Sequence, residues 1–370
     1  MEAICKKEIQ DLGLSVTSVE DGKVTFSGDA LAAARANICL RTAERVLLLV
    51  GSFTAVTWDE LFEKTKALEW ERYIPKDGRF WVTKANSIKS ALFSPSDIQS
   101  IMKKAMVERL KTAYGISWFD ENGTDYPVRV SILKDKVTVG LDMSGQSLHK
   151  RGYRQLTAKA PITETLAAAL IMLTPWHADR ILVDPFCGSG TFPIEAAMMA
   201  AHIAPGLERE FTAESWTNFI PKKVWYEASD EARSNICMDV DTDIQGYDID
   251  GDIVNAARAN ARAAGVDKMI HFQQRDVKDL SHPKRYGFII TNPPYGERIG
   301  EADEIPQLYR TLGERYSALS DWSMYLITAY EDAERCIGRK ADKNRKIYNG
   351  MMKTYFYSFM GARPPKRQDR

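Results

Sequence analysis

Hydrophobic positions in the first part of the chain come in short packets separated by turn residues. Ile4, Ile9 and Leu12 belong to a helix that breaks at Gly13. Val16 and Val19, then Val24 and Phe26, alternate with polar residues on either side of Asp21-Gly22, and Asp-Gly between alternating runs predicts a β-hairpin. Residues 30–40 are helical in composition and residues 46–50 read as a buried strand. Thr57-Trp58-Asp59-Glu60 places a capping hydroxyl and two acids at the start of a further helix. A second packet follows, with a strand at 80–83 and strands at 128–133 and 136–141. Between them a helix over 95–111 carries Ile98, Ile101, Met102, Ala105, Met106 and Leu110 as its apolar positions. Both packets read as small α+β units.

After Asp142 the pattern lapses. Ser144-Gly145-Gln146-Ser147-Leu148-His149-Lys150-Arg151-Gly152-Tyr153-Arg154 is polar and basic without a period, as a linker or a substrate-facing loop would be. Beyond it the periods alternate: helix 161–173, strand 180–183, helix 192–201, strand 244–247, helix 253–264, and strands 270–273 and 287–291. Alternation of this kind predicts an α/β fold with a parallel, doubly wound sheet. Residues 205–241, rich in Trp, Lys and Glu, interrupt it as an insertion, and no internal repeat is visible. The expected division is 1–53, 54–146 and 147–370, with the doubly wound sheet in the last.

Composition narrows the class without naming a partner. At 370 residues the chain exceeds one ordinary domain. Its 44% hydrophobic and 27% charged residues are the usage of a soluble globular protein. No apolar run is long enough for a membrane span, and the opening lacks the layout of a secretory signal, so a cytoplasmic protein without a membrane partner is expected. The five cysteines are scattered with no C-x-x-C pair, which indicates neither disulfides nor a metal site. Fifty basic residues balance fifty acidic ones, so net charge gives no argument for a polyanion. Distribution does: residues 76–111 hold eight basic and three acidic residues, 150–159 four and none, 335–367 ten and one.

Two segments carry chemistry. Ile181-Leu182-Val183-Asp184-Pro185-Phe186-Cys187-Gly188-Ser189-Gly190-Thr191 joins a buried strand, an acid at its carboxyl end and a glycine turn into a helix. Ligands of open α/β sheets bind at that edge. The glycines admit a ligand closely, and Asp184 suits a cationic amino group better than a pyrophosphate. A dinucleotide fingerprint would also want glycine where Pro193 stands. The next strand ends at Asp248-Ile249-Asp250, where a carboxylate is a natural acceptor for ribose hydroxyls. One strand on, Asp276 and the Val277 amide are placed to meet an adenine. The second segment, Phe288-Ile289-Ile290-Thr291-Asn292-Pro293-Pro294-Tyr295, stops a buried strand in two prolines, which leave carbonyl oxygens as the main-chain groups on offer. Acceptors hold the hydrogens of a planar amino group: the Asn292 side-chain oxygen and the Pro293 carbonyl would aim its lone pair at an electrophile. Tyr295 would stack on a base. The structural alternatives, a chain-reversing glycine turn and a proline turn, require no ligand.

These segments, with Leu148-His149-Lys150-Arg151-Gly152-Tyr153-Arg154 and Lys346-Ile347-Tyr348-Asn349-Gly350, resemble the THUMP-containing RNA methyltransferases over nearly the whole chain. The likeness is to bacterial proteins similar to the large-subunit ribosomal RNA guanine-N2 methyltransferase, also labelled N6-adenine-specific DNA methylases. It implies a ferredoxin-like piece, an RNA-binding THUMP domain and a class I (Rossmann-like) methyltransferase domain using S-adenosyl-L-methionine. The resemblance places Asp184, Gly188 and Gly190 on the methionine side, Asp248 at the ribose and Asp276 at the adenine, and Cys187, Ser189, Thr191, Ile249 and Val277 complete the expected cofactor-binding set. Asn292, Pro293, Pro294 and Tyr295 fall on the catalytic loop, Asn292 also lining the cofactor. One departure is that the chain opens directly in a helix where the family pattern has a strand. The leading expectation is methylation of guanine N2 in structured, ribosomal RNA. An N6-adenine methyltransferase acting on DNA or RNA is the rival, because Asn-Pro-Pro-Tyr serves either amino group. Monomer and homodimer both stay open.

Overall fold

A computed structural model describes residues 1–154, 162–296 and 303–365. Helix α1 (Glu2–Asp11) precedes a hairpin of β1 (Ser15–Glu20) and β2 (Lys23–Ser27), which turns at Asp21-Gly22 as expected. Helix α2 (Ala30–Cys39) opens at Asp29, whose side chain accepts from the Ala32 amide. Strand β3 (Leu47–Thr54) leads to α3 (Trp58–Lys66), capped by Thr57 through the Glu60 amide. Then come β4 (Arg79–Ile88), α4 (Pro95–Tyr114), β5 (Asp125–Leu133) and β6 (Lys136–Asp142). These strands form one sheet in the order β3-β6-β5-β4. Strand β3, expected to be buried, is instead an edge strand hydrogen-bonded to β6 on one side, and its pleat turns Leu47 and Leu49 to solvent at 43% and 48% exposure.

The remaining chain builds a seven-stranded sheet. Helix α5 (Glu164–Met172) leads to β7 (Leu182–Asp184) and α6 (Thr191–Ala200), and α7 (Lys222–Ser234) to β8 (Ile244–Asp248), α8 (Gly251–Ala263) and β9 (Ile270–Gln274). The chain closes with β10 (Phe288–Thr291), α9 (Ile305–Ala318), β11 (Ser323–Thr328), α10 (Ala333–Ile337), β12 (Lys343–Asn349) and β13 (Met352–Phe359). The order β12-β13-β11-β10-β7-β8-β9 is parallel from β11 to β9, with β13 and β12 added antiparallel. Both faces are covered, and this is why β10 is buried at every position and apolar up to its last residue, Thr291. Phe288 and Ile290 point into a core with Phe192, Ala197 and Val254, while Ile289 points into one with Tyr309, Leu312 and Met324.

Two expectations need correcting. Residues 205–241 do not merely interrupt the sheet: they fold back onto the N-terminal units and share their core through Phe211, Trp216, Val224 and Ala228. Trp216 is fully buried, stacks on Tyr126 with centroids 5.4 Å apart, and donates from its indole to the Asp125 carbonyl at 2.8 Å. Tyr126 donates to Asn218, which donates to the Tyr73 carbonyl, and Arg35 pairs with Glu231 of α7 at 2.6 Å. Nor do residues 144–154 form a free linker. Arg151 is 3% exposed and donates to the Leu148 and Arg41 carbonyls at 2.6 and 2.5 Å, with Glu195 of α6 at 3.4 Å. A buried guanidinium holds its place by pairing, so Arg151 ties the N-terminal half to α6.

Candidate active site

The carboxyl ends of β7, β8 and β10 form one edge. Asp184 ends β7 at 1% exposure and accepts from the Phe186 amide at 3.1 Å and the Thr291 hydroxyl at 2.6 Å. Burial pushes its carboxyl up to about 7, helped by the charge of Asp248 and opposed by those two hydrogen bonds. No ion pair reaches it among the described residues.

The glycine turn follows at once. The Cys187 amide donates to the Tyr247 carbonyl and the Gly190 amide to the Cys187 carbonyl, both at 2.8 Å. Gly188 has φ +52° and open space where a Cβ would stand, whereas a Cβ on Gly190, φ +87°, would crowd Phe272 and Ala257 at 3.0 and 3.1 Å. The first glycine leaves room for a ligand and the second lets α6 pack. Asn260 donates to the Ser189 carbonyl at 3.1 Å and Arg154 to the Thr191 hydroxyl at 2.8 Å, fixing both sides of the turn. Cys187 is buried, which pushes its thiol well up and leaves it a packing residue.

Asp248 ends β8 and accepts from the Gly188 and Asp250 amides, each at 3.1 Å, and burial raises its carboxyl. Asp250 is engaged otherwise: it caps α8 through the Asp252 and Ile253 amides. Ile249 beside them is 68% exposed. Asp276 accepts from the Lys278 amide at 2.9 Å and pairs with its ammonium at 3.2 Å, which lowers its carboxyl, and Val277 is buried. The three acids are not level. Asp184 pairs with Gly246 and Asp248 with Gln274, so each acid stands two residues further out than the last. A two-residue step keeps the same side of the sheet, and the carboxylates form a staircase suited to an elongated ligand.

Next to Asp184, β10 ends at Thr291 and the chain runs through Asn292, half-buried, Pro293, buried, Pro294, exposed, and Tyr295, half-buried. The Asn292 side-chain oxygen is buried with no hydrogen-bond partner among the described residues. Such an acceptor costs about 1–3 kcal/mol unless something donates to it. Burial raises the Tyr309 hydroxyl, with the nearby Tyr295 phenol adding to the effect and the 2.6 Å hydrogen bond shared with Thr328 opposing it.

Sequence reasoning gave no role to Thr291, Asn260 or Arg154, each of which holds a candidate residue from another element; Thr291 and Arg154 stand inside the segments singled out, whereas no local pattern marks Asn260. It also overrated one basic stretch. The Lys103 ammonium sits 3.7 Å over Phe80 and pairs with Glu121, Arg109 pairs with Glu71, and Arg79 with Asp125. Among the described residues no helix is long and apolar enough to cross a membrane. A groove of about 520 Å³ lined by Met238, Val240, Thr242 and Lys268 lies by the amino ends of β8 and β9, away from the acids.

Known proteins resemble this chain along nearly its whole length. Residues 151–357 match the RMKL-like methyltransferase domain, residues 1–47 the RlmL ferredoxin-like domain and residues 55–142 the THUMP domain. YpsC of Bacillus subtilis (strain 168), provisionally named an RNA methyltransferase, is 47% identical over 370 residues, covering 100% of this chain and 95% of its own. Ribosomal RNA large subunit methyltransferase K/L of Dichelobacter nodosus (strain VCS1703A) is 32% identical over 100% of this chain. The chain spans about half the length of that relative, 52%. A Listeria monocytogenes structure (str. 4b F2365), described as a predicted N6-adenine-specific DNA methylase, superposes with TM-score 0.91 at 48% identity over 98% of this chain and 93% of its own. SMU.472, a methyltransferase by provisional description complexed with SAH, superposes with TM-score 0.91 at 42% identity over 98% and 96%. The chain belongs to the RMKL-like methyltransferase family, with ferredoxin-like and THUMP domains ahead of its methyltransferase domain.

Proposed function

We propose that the chain methylates an exocyclic amino group of a base in RNA, guanine N2 of large-subunit ribosomal RNA, with S-adenosylmethionine as methyl donor. The observation that carries this reading is the buried Asn292 oxygen, without a partner among the described residues, beside the Thr291–Asp184 contact. The donor fits the residues present. A cation-seeking carboxylate without a counter-ion, Asp184, suits the methionine ammonium, and the open cradle at Gly188 admits the chain beside it. Asp248, free of the capping duty of Asp250, would take the ribose hydroxyls, Ile249 would cover the adenine, and Asp276 with Val277 would border it. When bound, the cofactor supplies an electrophilic methyl on a sulfonium.

The protein's part is to present the nucleophile. Asn292 Oδ1 and the Pro293 carbonyl accept the two amino hydrogens and hold the nitrogen lone pair toward the cofactor side. Tyr295 stacks on the base, which must be unpaired or flipped to reach this depth. Methylation makes the nitrogen acidic, so its surplus proton leaves to solvent without a strong base. The K/L relative's name supports ribosomal RNA, and the THUMP match supports RNA over duplex DNA. Adenine N6 is the second reading, favoured by the name of the Listeria relative. Transfer of tritium from labelled S-adenosylmethionine to undermodified ribosomal RNA, transfer RNA and DNA in parallel, with nucleoside analysis, tests the choice. N2-methylguanosine in ribosomal RNA is expected, and methyladenine in DNA as sole product contradicts it.

A further inference from the structure

The last two strands carry a surface that the proposed chemistry leaves unused. Lys346 pairs directly with Tyr355, and Tyr348 with Lys353, across β12 and β13. Directly opposed residues share a face, as do residues two apart on a strand. The four side chains therefore make a two-by-two checkerboard of cations and phenols. Lys346 stands 5.2 Å over Tyr348 and Lys353 5.1 Å over Tyr355. On the opposite face Ile347, Thr354 and Phe356 are buried, while Lys343 and Arg345 at its far end are exposed.

Its position matters more than its composition. Thr328, the last residue of β11, pairs with Tyr355, so residues 349–354 run past the edge on which Asp184 and Asn292 lie. Strand β13 is two strands from β10, or about 10 Å. That distance lets nucleotides flanking a base held at Asn292 reach the hairpin. Residues 343–359 contain Lys343, Arg345, Lys346 and Lys353 and no acid. Among the described residues none of these four forms an ion pair, although Lys353 is hydrogen-bonded to the Tyr355 phenol and the field of Glu331 also reaches it. Tyr348 is 58% exposed and Met351 at the tip 99%.

We propose that the β12–β13 hairpin is a single-strand RNA cradle that binds the nucleotides next to the target base, Tyr348 stacking on a base and Lys346 and Lys353 meeting phosphates. An exposed phenol, Tyr348, beside cations outside any described ion pair is the combination that holds single strands without reading sequence. This rests on the proposed RNA substrate. It would hold a flipped nucleotide's neighbours taut while Asn292 and Tyr295 hold the base itself.

The test uses the full chain and a fluorescein-labelled, mixed-sequence 12-nucleotide RNA followed by anisotropy across a salt series. Lys346→Glu with Lys353→Glu should weaken binding roughly tenfold or more and flatten the salt slope by about two. Tyr348→Ala should weaken it by roughly tenfold, and Tyr348→Phe should bind like wild type. Unchanged S-adenosylhomocysteine affinity by calorimetry certifies the fold of each variant. Variants that bind RNA as wild type does, or a wild type that does not bind the 12-mer at low salt, overturn the cradle. Methylation by the same proteins separates the two ideas. RNA methylation that survives charge reversal unchanged sinks the cradle and spares the function. RNA capture through the hairpin with methyl transfer only to DNA does the reverse.

Discussion

The Thr291 hydroxyl, at the end of β10, donates at 2.6 Å to the Asp184 carboxylate at the end of β7. It joins the residue before the proposed catalytic asparagine to the acid proposed for the cofactor. The bond stabilises the ionised form of a carboxylate that burial would otherwise keep neutral. Thr291→Val keeps the shape and removes the donor. We expect S-adenosylhomocysteine affinity at pH 7 to fall by roughly tenfold and to recover partly at higher pH. Calorimetric titration at two pH values checks it, and equal affinity to wild type at both would remove the coupling.

Asp184 also sets a pH dependence. Its folded carboxyl titrates near 7 against an ordinary 3.8, so the cofactor-free protein binds an extra proton between those values. Its stability contribution is thus present below about 4 and lost as pH rises toward 7. Cofactor binding runs the other way, because the ammonium partner needs the carboxylate ionised. Affinity should climb with pH, by up to about tenfold per unit below 7, and level off above it. A flat affinity from pH 5.5 to 7.5 contradicts the assignment.

Asp248 and Asp250 are two residues apart and do different work. Asp248→Ala should reduce S-adenosylhomocysteine affinity by roughly ten- to a hundredfold, the worth of charge-assisted hydrogen bonds. Asp250→Ala removes the α8 cap and should cost about 0.5–2 kcal/mol of stability with affinity within a few-fold of wild type. Calorimetry and urea unfolding on both variants decide, and the reverse pattern would exchange their roles.

Much of this arrangement was legible because it is local in sequence. The strand, acid, glycine turn and helix from Ile181 to Thr191 are contiguous, and so is the buried strand ending in Asn292-Pro293-Pro294-Tyr295. What could not be read was held by distant partners. Arg151 looks like a solvated base until the Arg41 carbonyl, 110 positions earlier, is seen to receive it. Trp216 looks like part of an insertion until Tyr126, 90 positions earlier, stacks on it. Strands β11, β12 and β13 went unread. Ser323–Thr328 is buried on both faces and shows no alternation, so its period could not distinguish strand from core helix.

The stacked pair Trp216 and Tyr126 sets a stability prediction of its own. Trp216→Ala empties a fully buried site shared by residues 205–241 and the THUMP region, which should cost about 3–5 kcal/mol. S-adenosylhomocysteine affinity should persist, since the acids lie on the other sheet. Urea unfolding followed by circular dichroism reads the loss, and a midpoint unmoved from wild type contradicts the shared core.

Asn292 stands at the centre of the proposed chemistry, its buried oxygen without a partner among the described residues. Asn292→Ala removes an acceptor needed chiefly when the amino nitrogen attacks, so turnover should fall by about a hundredfold or more while cofactor and RNA affinities stay within a few-fold. Single-turnover methylation of undermodified ribosomal RNA at saturating S-adenosylmethionine measures it most directly. A steep loss of rate with binding preserved is the predicted result. Methylation at the wild-type rate would contradict the amino-methylation mechanism and leave Asn292 to Tyr295 as a structural turn.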